Sequence, residues 1–339
     1  MPELATFVLF AYRHEAFVAE AIRGIAQQTY RPLELIITDD ASPDRTREQI
    51  DLALRDFPSD ILVFRINHDI NQGLAGVINL AVRRATGRVI IFGAGDDVSA
   101  PERVARTMEA FRDPEVTIVH TATMLIDEKG KLMEVQPVLS KDTDFNLHET
   151  ISCEANPIIG ATCAYAADIF KSFGELPREV LREDVLLPIR SLLLGKGRFL
   201  AERLVQYRMH AGNLHSPSHR QSSEEMVARN IRFAADRRSC SEQIFADADI
   251  LIERGICLTD DFLKYMQQGR AYSELEQELI HARSRAAQSL KIFTAWARRK
   301  VGTTTAVKLL TLFVLPSLYA PLLKLRVRFS QRNSQSSNG

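Results

Sequence analysis

Two pairs of neighbouring aspartates, Asp39-Asp40 and Asp96-Asp97, are the residues of this chain best suited to chemistry. Each pair follows a short apolar run, and adjacent carboxylates at such a place can hold a hard divalent cation that carries phosphate oxygens. Each pair also has a plainer explanation. The run Asp39-Asp40-Ala41-Ser42-Pro43-Asp44 reads equally well as a turn and helix start, because Asp and Ser side chains bond nearby backbone amides. Beside Asp96-Asp97, the glycines Gly93 and Gly95 let a ligand approach the backbone closely, which favours binding over a mere turn.

The elements that must position these carboxylates are legible as a rhythm. Apolar runs at 6–10, 33–38, 61–66, 88–92 and 116–120 alternate with amphipathic stretches at 14–28, 45–57, 73–85 and 101–112. The alternation predicts an α/β fold, a mainly parallel, Rossmann-like sheet flanked by helices, in which ligands gather at the carboxyl ends of strands. The last helix carries a start signal. Ser99 and Glu102 have capping-box spacing and Pro101 suits a first turn, which makes 93–97 a loop at a strand's carboxyl end. Residues 121–215 are less regular, with helices expected at 168–173 and 184–194. Past Ser216 the chain turns polar and helical, so a boundary is expected near 215–220, giving regions 1–216, 217–300 and 301–339.

Composition narrows the classes. The chain has 339 residues, 45% hydrophobic and 25% charged, which suits one large or two smaller globular domains and excludes collagen-like, wholly disordered and polytopic membrane proteins. Its zero formal charge hides an asymmetry, because residues 281–339 contain 11 Lys/Arg and no Asp/Glu. Within that tail, 309–323 is free of charge, broken by Pro316 and Pro321 and flanked by Lys308, Lys324, Arg326 and Arg328. It is shorter than the roughly 20 residues of a spanning helix. It suits a segment lying on an anionic membrane, with a core or dimer helix as the alternative. Residues 330–339 are expected to be disordered. The first apolar run lacks a basic leader and does not read as a secretory signal, so a cytoplasmic protein is expected, peripheral on the inner membrane face. Cys153, Cys163, Cys240 and Cys257 lack metal-ligand spacing and read as reduced packing thiols. The turn after the first run, Ala11-Tyr12-Arg13-His14-Glu15, has no dinucleotide-binding glycines, and Gly195-Lys196-Gly197 lacks a P-loop frame. The basic tail has no aromatic platform or nucleic-acid motif, so no nucleic-acid partner is expected.

Several motifs in order carry a family resemblance. Phe10-Ala11-Tyr12-Arg13-His14-Glu15, Gln28-Thr29-Tyr30 and Glu34-Leu35-Ile36-Ile37-Thr38-Asp39-Asp40-Ala41-Ser42-Pro43-Asp44 come first, then Asn71-Gln72-Gly73, Ala85-Thr86-Gly87 and Gly95-Asp96-Asp97. Gly160-Ala161-Thr162, Phe173-Gly174, Arg182-Glu183-Asp184 and Tyr207-Arg208-Met209-His210 follow. Over roughly residues 5–216 the chain resembles the inverting family 2 glycosyltransferases of GT-A fold.

The resemblance implies a metal-dependent transfer of sugar from a nucleotide-sugar, a UDP-sugar first, to a glycan or lipid-linked acceptor in cell-surface polysaccharide synthesis. It implies that Asp40 accepts the imide N–H of a uracil-type base with Asp39 in support, and that Ala11, Tyr12, Asn71 and Asp97 line the nucleotide site. Asp96 and His210 would hold Mg²⁺ or Mn²⁺, Asp184 would be the general base, and Arg208 would reach the diphosphate from a mobile segment. For Glu183-Asp184 the plainer reading is negative charge at a helix start, and for His210 a packed histidine. Two positions depart from the family pattern. Ala94 stands where many members have a carboxylate, and Arg13 where Asn is usual. Ala94 motivates the rival reading, a non-catalytic nucleotide-sugar or glycan-binding module of the same fold.

Overall fold

A computed structural model describes residues 2–133, 141–152, 158–210, 212, 223–282, 284–298, 305–306, 309–310 and 313. In chain order the elements are β1 (Ala5–Ala11), α1 (Val18–Ala26), β2 (Leu33–Asp39), α2 (Thr46–Ala53), β3 (Ile61–Asn67), α3 (Gly73–Arg84), β4 (Val89–Ala94), β5 (Val98–Ser99), α4 (Arg103–Ala110) and β6 (Val116–Ile126). There follow β7 (Thr143–Phe145), α5 (Leu147–Ile151), a 3₁₀ turn (Gly160–Thr162), β8 (Ala164–Ala166), α6 (Asp168–Phe173), α7 (Glu183–Leu192), β9 (Lys196–Arg208), α8 (Ser223–Glu253), α9 (Asp260–Ile280) and α10 (Arg285–Ala297).

Among the described residues the strands form one sheet in the order β3-β2-β1-β4-β8-β6-β9-β5, with β7 also on β9. β1 lies between β2 and β4 and is parallel to both, so it is walled in on both edges and both faces. That is why β1, β2 and β4 are near-continuous apolar runs, while in the edge strand β3 only Ile61 is buried. The long ladders, including β6 with β9, are parallel, and the short ones made by β5, β7 and β8 run antiparallel. The strands and helices expected before residue 120 all form. Beyond it, β6 runs on to Ile126 and β7, β8 and β9 arise from the region that reads as irregular. Register shifts around Val116 and Thr121 interrupt the two-residue period, which hides the β6–β9 ladder from pattern reading.

The expected capping box does not form, because Ser99 belongs to β5 and pairs with Val205. The α4 N–H of Val104 is instead accepted by Gln28 Oε1 at 2.9 Å, and Ser99 Oγ accepts from Arg103 Nη1 at 3.0 Å. A buried carboxylate ties the sheet to its neighbours: Glu34 accepts from Thr6 Oγ1, and from Thr86 N and Oγ1 at 2.7 and 2.8 Å.

The chain divides into two compact units, Met1–Ser216 with Asp247–Ile256, and Pro217–Ala246 with Cys257–Gly339. In the first, the buried Arg190 of α7 pairs with Asp247 through Nε–Oδ2 at 2.8 Å and Nη2–Oδ1 at 3.1 Å. In the second, Leu275 and Leu279 of α9 pack with Ile292 and Ala295 of α10. Among the described residues no helix is long and apolar enough to cross a membrane. Cys163, Cys240 and Cys257 form no disulfide. The expected boundary at 215–220, Cys153, most of 309–323 and the tail 330–339 lie outside the described residues.

Candidate active site

Parallel strands leave their carboxyl ends on one edge, and three neighbours deliver residues there. β1 ends at Ala11, β2 at Asp39 and β4 at Ala94, with Ala11 in register with Asp39. The Asp40 N–H donates to Ala11 O at 3.1 Å and Gly95 N–H to Phe10 O at 2.8 Å, fixing the turns that follow. Arg13 and Ala41 adopt the left-handed region, φ 59° and 57°. Arg13 N–H donates to Ser42 Oγ at 3.0 Å, which helps hold this strained turn. Asn tolerates such a φ better than Arg does.

Asp39 and Asp40 are both buried and differently engaged. Asp40 accepts from the backbone N–H of Gln72 at 2.6 Å and of Gly73 at 3.0 Å, so it anchors the start of α3, and Asn71 Nδ2 donates to its carbonyl at 3.0 Å. Asp39 Oδ2 accepts from Arg47 Nε at 2.6 Å and Ser42 N at 3.2 Å, while its Oδ1 is buried without a partner. Tyr12 beside them is 42% exposed.

The second cluster is built by tertiary pairing. β5 pairs Val98 with Gln206 of β9, which brings the end of β9 onto the Asp96-Asp97 turn. His210 Nε2 then lies 2.9 Å from Asp96 Oδ2, with His14 Nε2 at 3.7 Å from the same oxygen. Burial holds the His14 imidazole below its ordinary pKa, and its Nδ1 is buried without a partner. Burial, together with the charge of Asp96, raises the Asp97 carboxyl well above the carboxylate range.

Arg208 is the buried last residue of β9. Its N–H donates to Asp97 Oδ1 at 2.8 Å, Nε to Asp96 O at 2.8 Å, Nη2 to Glu20 Oε2 at 2.6 Å, and Nη1 to the carbonyls of Asp127 and Glu128 at 3.3 and 3.4 Å. Its guanidinium also lies over the Phe17 ring. Arg208 therefore shapes the aspartate turn from behind.

Glu183 and Asp184 open α7 beside the 3₁₀ turn, where a Cβ on Gly160 would meet Glu183 Oε1. Tyr207 links the two groups of carboxylates. Its hydroxyl is pushed up to about 12 by burial first, then by the charges of Asp97, Asp96, Asp184 and Glu183. The structure thus brings Asp96, Asp97, His210, Tyr207, Glu183 and Asp184 into one electrostatic neighbourhood. Pattern reading missed His14, Tyr207, Glu20 and Arg47 as participants, since only contacts across the fold give them a role.

The family described as Glycosyl transferase family 2 matches residues 6–174. An uncharacterised glycosyltransferase of Nostoc sp. is 27% identical over 225 residues, 64% of this chain and 68% of that protein. The chain belongs to glycosyltransferase family 2. Among solved structures, S. aureus TarS in complex with UDP-GlcNAc shares the fold at TM-score 0.60 and 16% identity, over 93% of this chain and 89% of that one. The mannosyltransferase PcManGT of Pyrobaculum calidifontis, in complex with GDP-Man and Mn²⁺, is similar at TM-score 0.51 and 18% identity, over 95% and 82%. The glycosyltransferase therefore has the GT-A sheet that its motifs imply.

No group of three or more His, Cys, Asp and Glu among the described residues stands ready to hold a metal ion. One carboxylate and one imidazole, Asp96 and His210, do converge at this turn, with His14 Nε2 3.7 Å from the same Asp96 oxygen.

Proposed function

We propose that this glycosyltransferase is an inverting, metal-dependent enzyme that moves a sugar from a nucleotide-sugar, a UDP-sugar first, to a hydroxyl of a glycan or lipid-linked acceptor in cell-surface polysaccharide synthesis. The observation that carries this reading is the contact of His210 Nε2 with Asp96 Oδ2 at 2.9 Å beside the ends of the parallel strands. The sugar donors in the TarS and PcManGT complexes support the donor class.

In this reading Asp39 and Asp40 form the wall against the base, and Asp39 Oδ1 is the buried acceptor suited to an imide N–H. Tyr12 offers a ring for stacking, and Ala11 and Asn71 complete the nucleoside pocket. Asp96 and His210 would hold Mg²⁺ or Mn²⁺, and a cation bound there would supply Lewis-acid stabilisation of negative charge on a leaving diphosphate. Asp97 and Arg208 act through Asp96 by fixing its turn. Asp184 takes the proton of the attacking hydroxyl as the new bond to the anomeric carbon forms and the bond to the diphosphate breaks on the opposite face. One displacement inverts the configuration. The chain works on the cytoplasmic face of a membrane, held there through its basic tail.

Calorimetry of UDP, GDP and dTDP, with and without Mn²⁺, tests the donor site. UDP binding that needs Mn²⁺ and disappears in Asp96→Ala is expected. Asp184→Ala should keep that binding and lose sugar transfer. Retained transfer in Asp184→Ala rejects the assigned base. Nucleotide binding with no transfer to any acceptor, or no nucleotide binding at all, turns the reading to the binding module that Ala94 motivates.

A further inference from the structure

Helix α10 has two apolar faces. Ile292 and Ala295 are buried against α9. Leu290, Phe293 and Trp296 are 66%, 61% and 43% exposed, and the rings of Phe293 and Trp296 lie 5.8 Å apart. Positions 286, 290, 293 and 297 fall on one line of the helix, and Ala286 and Ala297 are exposed as well. An apolar stripe with Trp296 at its edge thus runs the length of α10 in contact with solvent. Single exposed apolar residues are ordinary, but three large ones within seven residues of one helix mark an interaction surface.

Charge decides what meets it. α10 holds Arg285 and Lys291 and no acidic residue, Arg298, Arg299 and Lys300 follow at once, and residues 281–339 carry 11 basic and no acidic side chains. Lys291 Nζ pairs with Glu278 at 2.6 Å, and Arg298 is exposed. A second copy of the chain would bring the same positive charge against this one and be repelled. An anionic leaflet offers the complement: phosphates for Lys and Arg, an acyl boundary for Leu and Phe, and the interfacial depth that Trp prefers.

We propose that α10 docks the protein on an anionic lipid bilayer through Leu290, Phe293 and Trp296. This rests on the membrane reading above and assigns the contact to α10 rather than to 309–323.

Trp296 is the one tryptophan of the chain, so the intrinsic fluorescence of the full-length protein reports on this face. Vesicles of phosphatidylcholine with phosphatidylglycerol should shift its emission to the blue and shield it from acrylamide, whereas phosphatidylcholine alone should not. The double variant Leu290→Glu/Phe293→Glu, altered only at exposed positions, should keep its circular dichroism and lose co-sedimentation with those vesicles about tenfold or more. Leu318→Glu/Leu322→Glu should still bind. If the second variant loses binding and the first keeps it, the membrane reading stands and the α10 assignment falls. If the wild type binds neither vesicle, both fall. An emission already blue-shifted in buffer and unmoved by lipid means that protein covers the face, and it also overturns the proposal.

Discussion

Asp247→Ala is the sharpest test of how α7 is held. Asp247 and Arg190 are 1% and 0% exposed at their side chains, and their contact is bidentate. Without the carboxylate, the guanidinium keeps, among the described residues, the carbonyls of Gly174 at 3.0 Å and Phe173 at 3.3 Å and the face of the Phe173 ring. Removing one partner of such a buried pair costs about 3–5 kcal/mol, because the remaining charge is left desolvated and uncompensated. In a unit of this size each kcal/mol moves Tm by about 2–4 °C, so a drop of roughly 6–20 °C is expected. Arg190→Met/Asp247→Leu removes both charges and should recover most of the loss. Urea unfolding followed by circular dichroism reads both variants. A loss below about 1 kcal/mol in Asp247→Ala would refute the argument, since it would mean that water or another group compensates Arg190. Because α7 begins at Glu183-Asp184, turnover in Asp247→Ala should fall more than UDP affinity does.

Arg13→Asn should stabilise the protein by about 1 kcal/mol in thermal unfolding, because Asn accepts the left-handed φ at this turn more readily. Glu34→Ala strands the buried Thr6 hydroxyl and should cost about 1–3 kcal/mol, read by urea unfolding. Burial holds His120 at about 4, below its ordinary 6.5. Its neutral form is therefore favoured in the fold, and stability present above pH 6.5 should decline as pH falls toward 4, by up to roughly 3 kcal/mol. His120→Leu should flatten that decline in denaturation series between pH 7.5 and 4.5. Arg208→Met should weaken Mn²⁺-dependent UDP binding by roughly tenfold or more in calorimetry, since Arg208 bonds both the Asp96 carbonyl and the Asp97 carboxylate.

The parallel half of the fold was readable because burial on both faces demands unbroken apolar runs such as those of β1, β2 and β4, and because each run ends where polar residues begin. The same logic places Asp39, Asp40, Asp96 and Asp97 at strand ends from the sequence alone. The start of α4 departs from its local pattern, since Ser99 and Glu102 have capping spacing while the helix takes its acceptor from Gln28, a residue 76 positions away. β9 was missed because bulges and the exposed pair Glu202 and Arg203 break its alternation.

Local sequence thus determined which segments became strands and helices, and which carboxylates reached the ligand edge, because those depend on hydrophobic period and turn chemistry within a few residues. Only the tertiary structure decided which of them act together. His210 meets Asp96 across 114 positions, Arg208 bonds the Asp96 carbonyl and the Asp97 carboxylate, and Asp40 anchors α3 while Asp39 keeps a buried oxygen without a partner. Such partnerships follow from strand order and register, and a buried polar atom takes whichever partner the folded chain brings within hydrogen-bond reach.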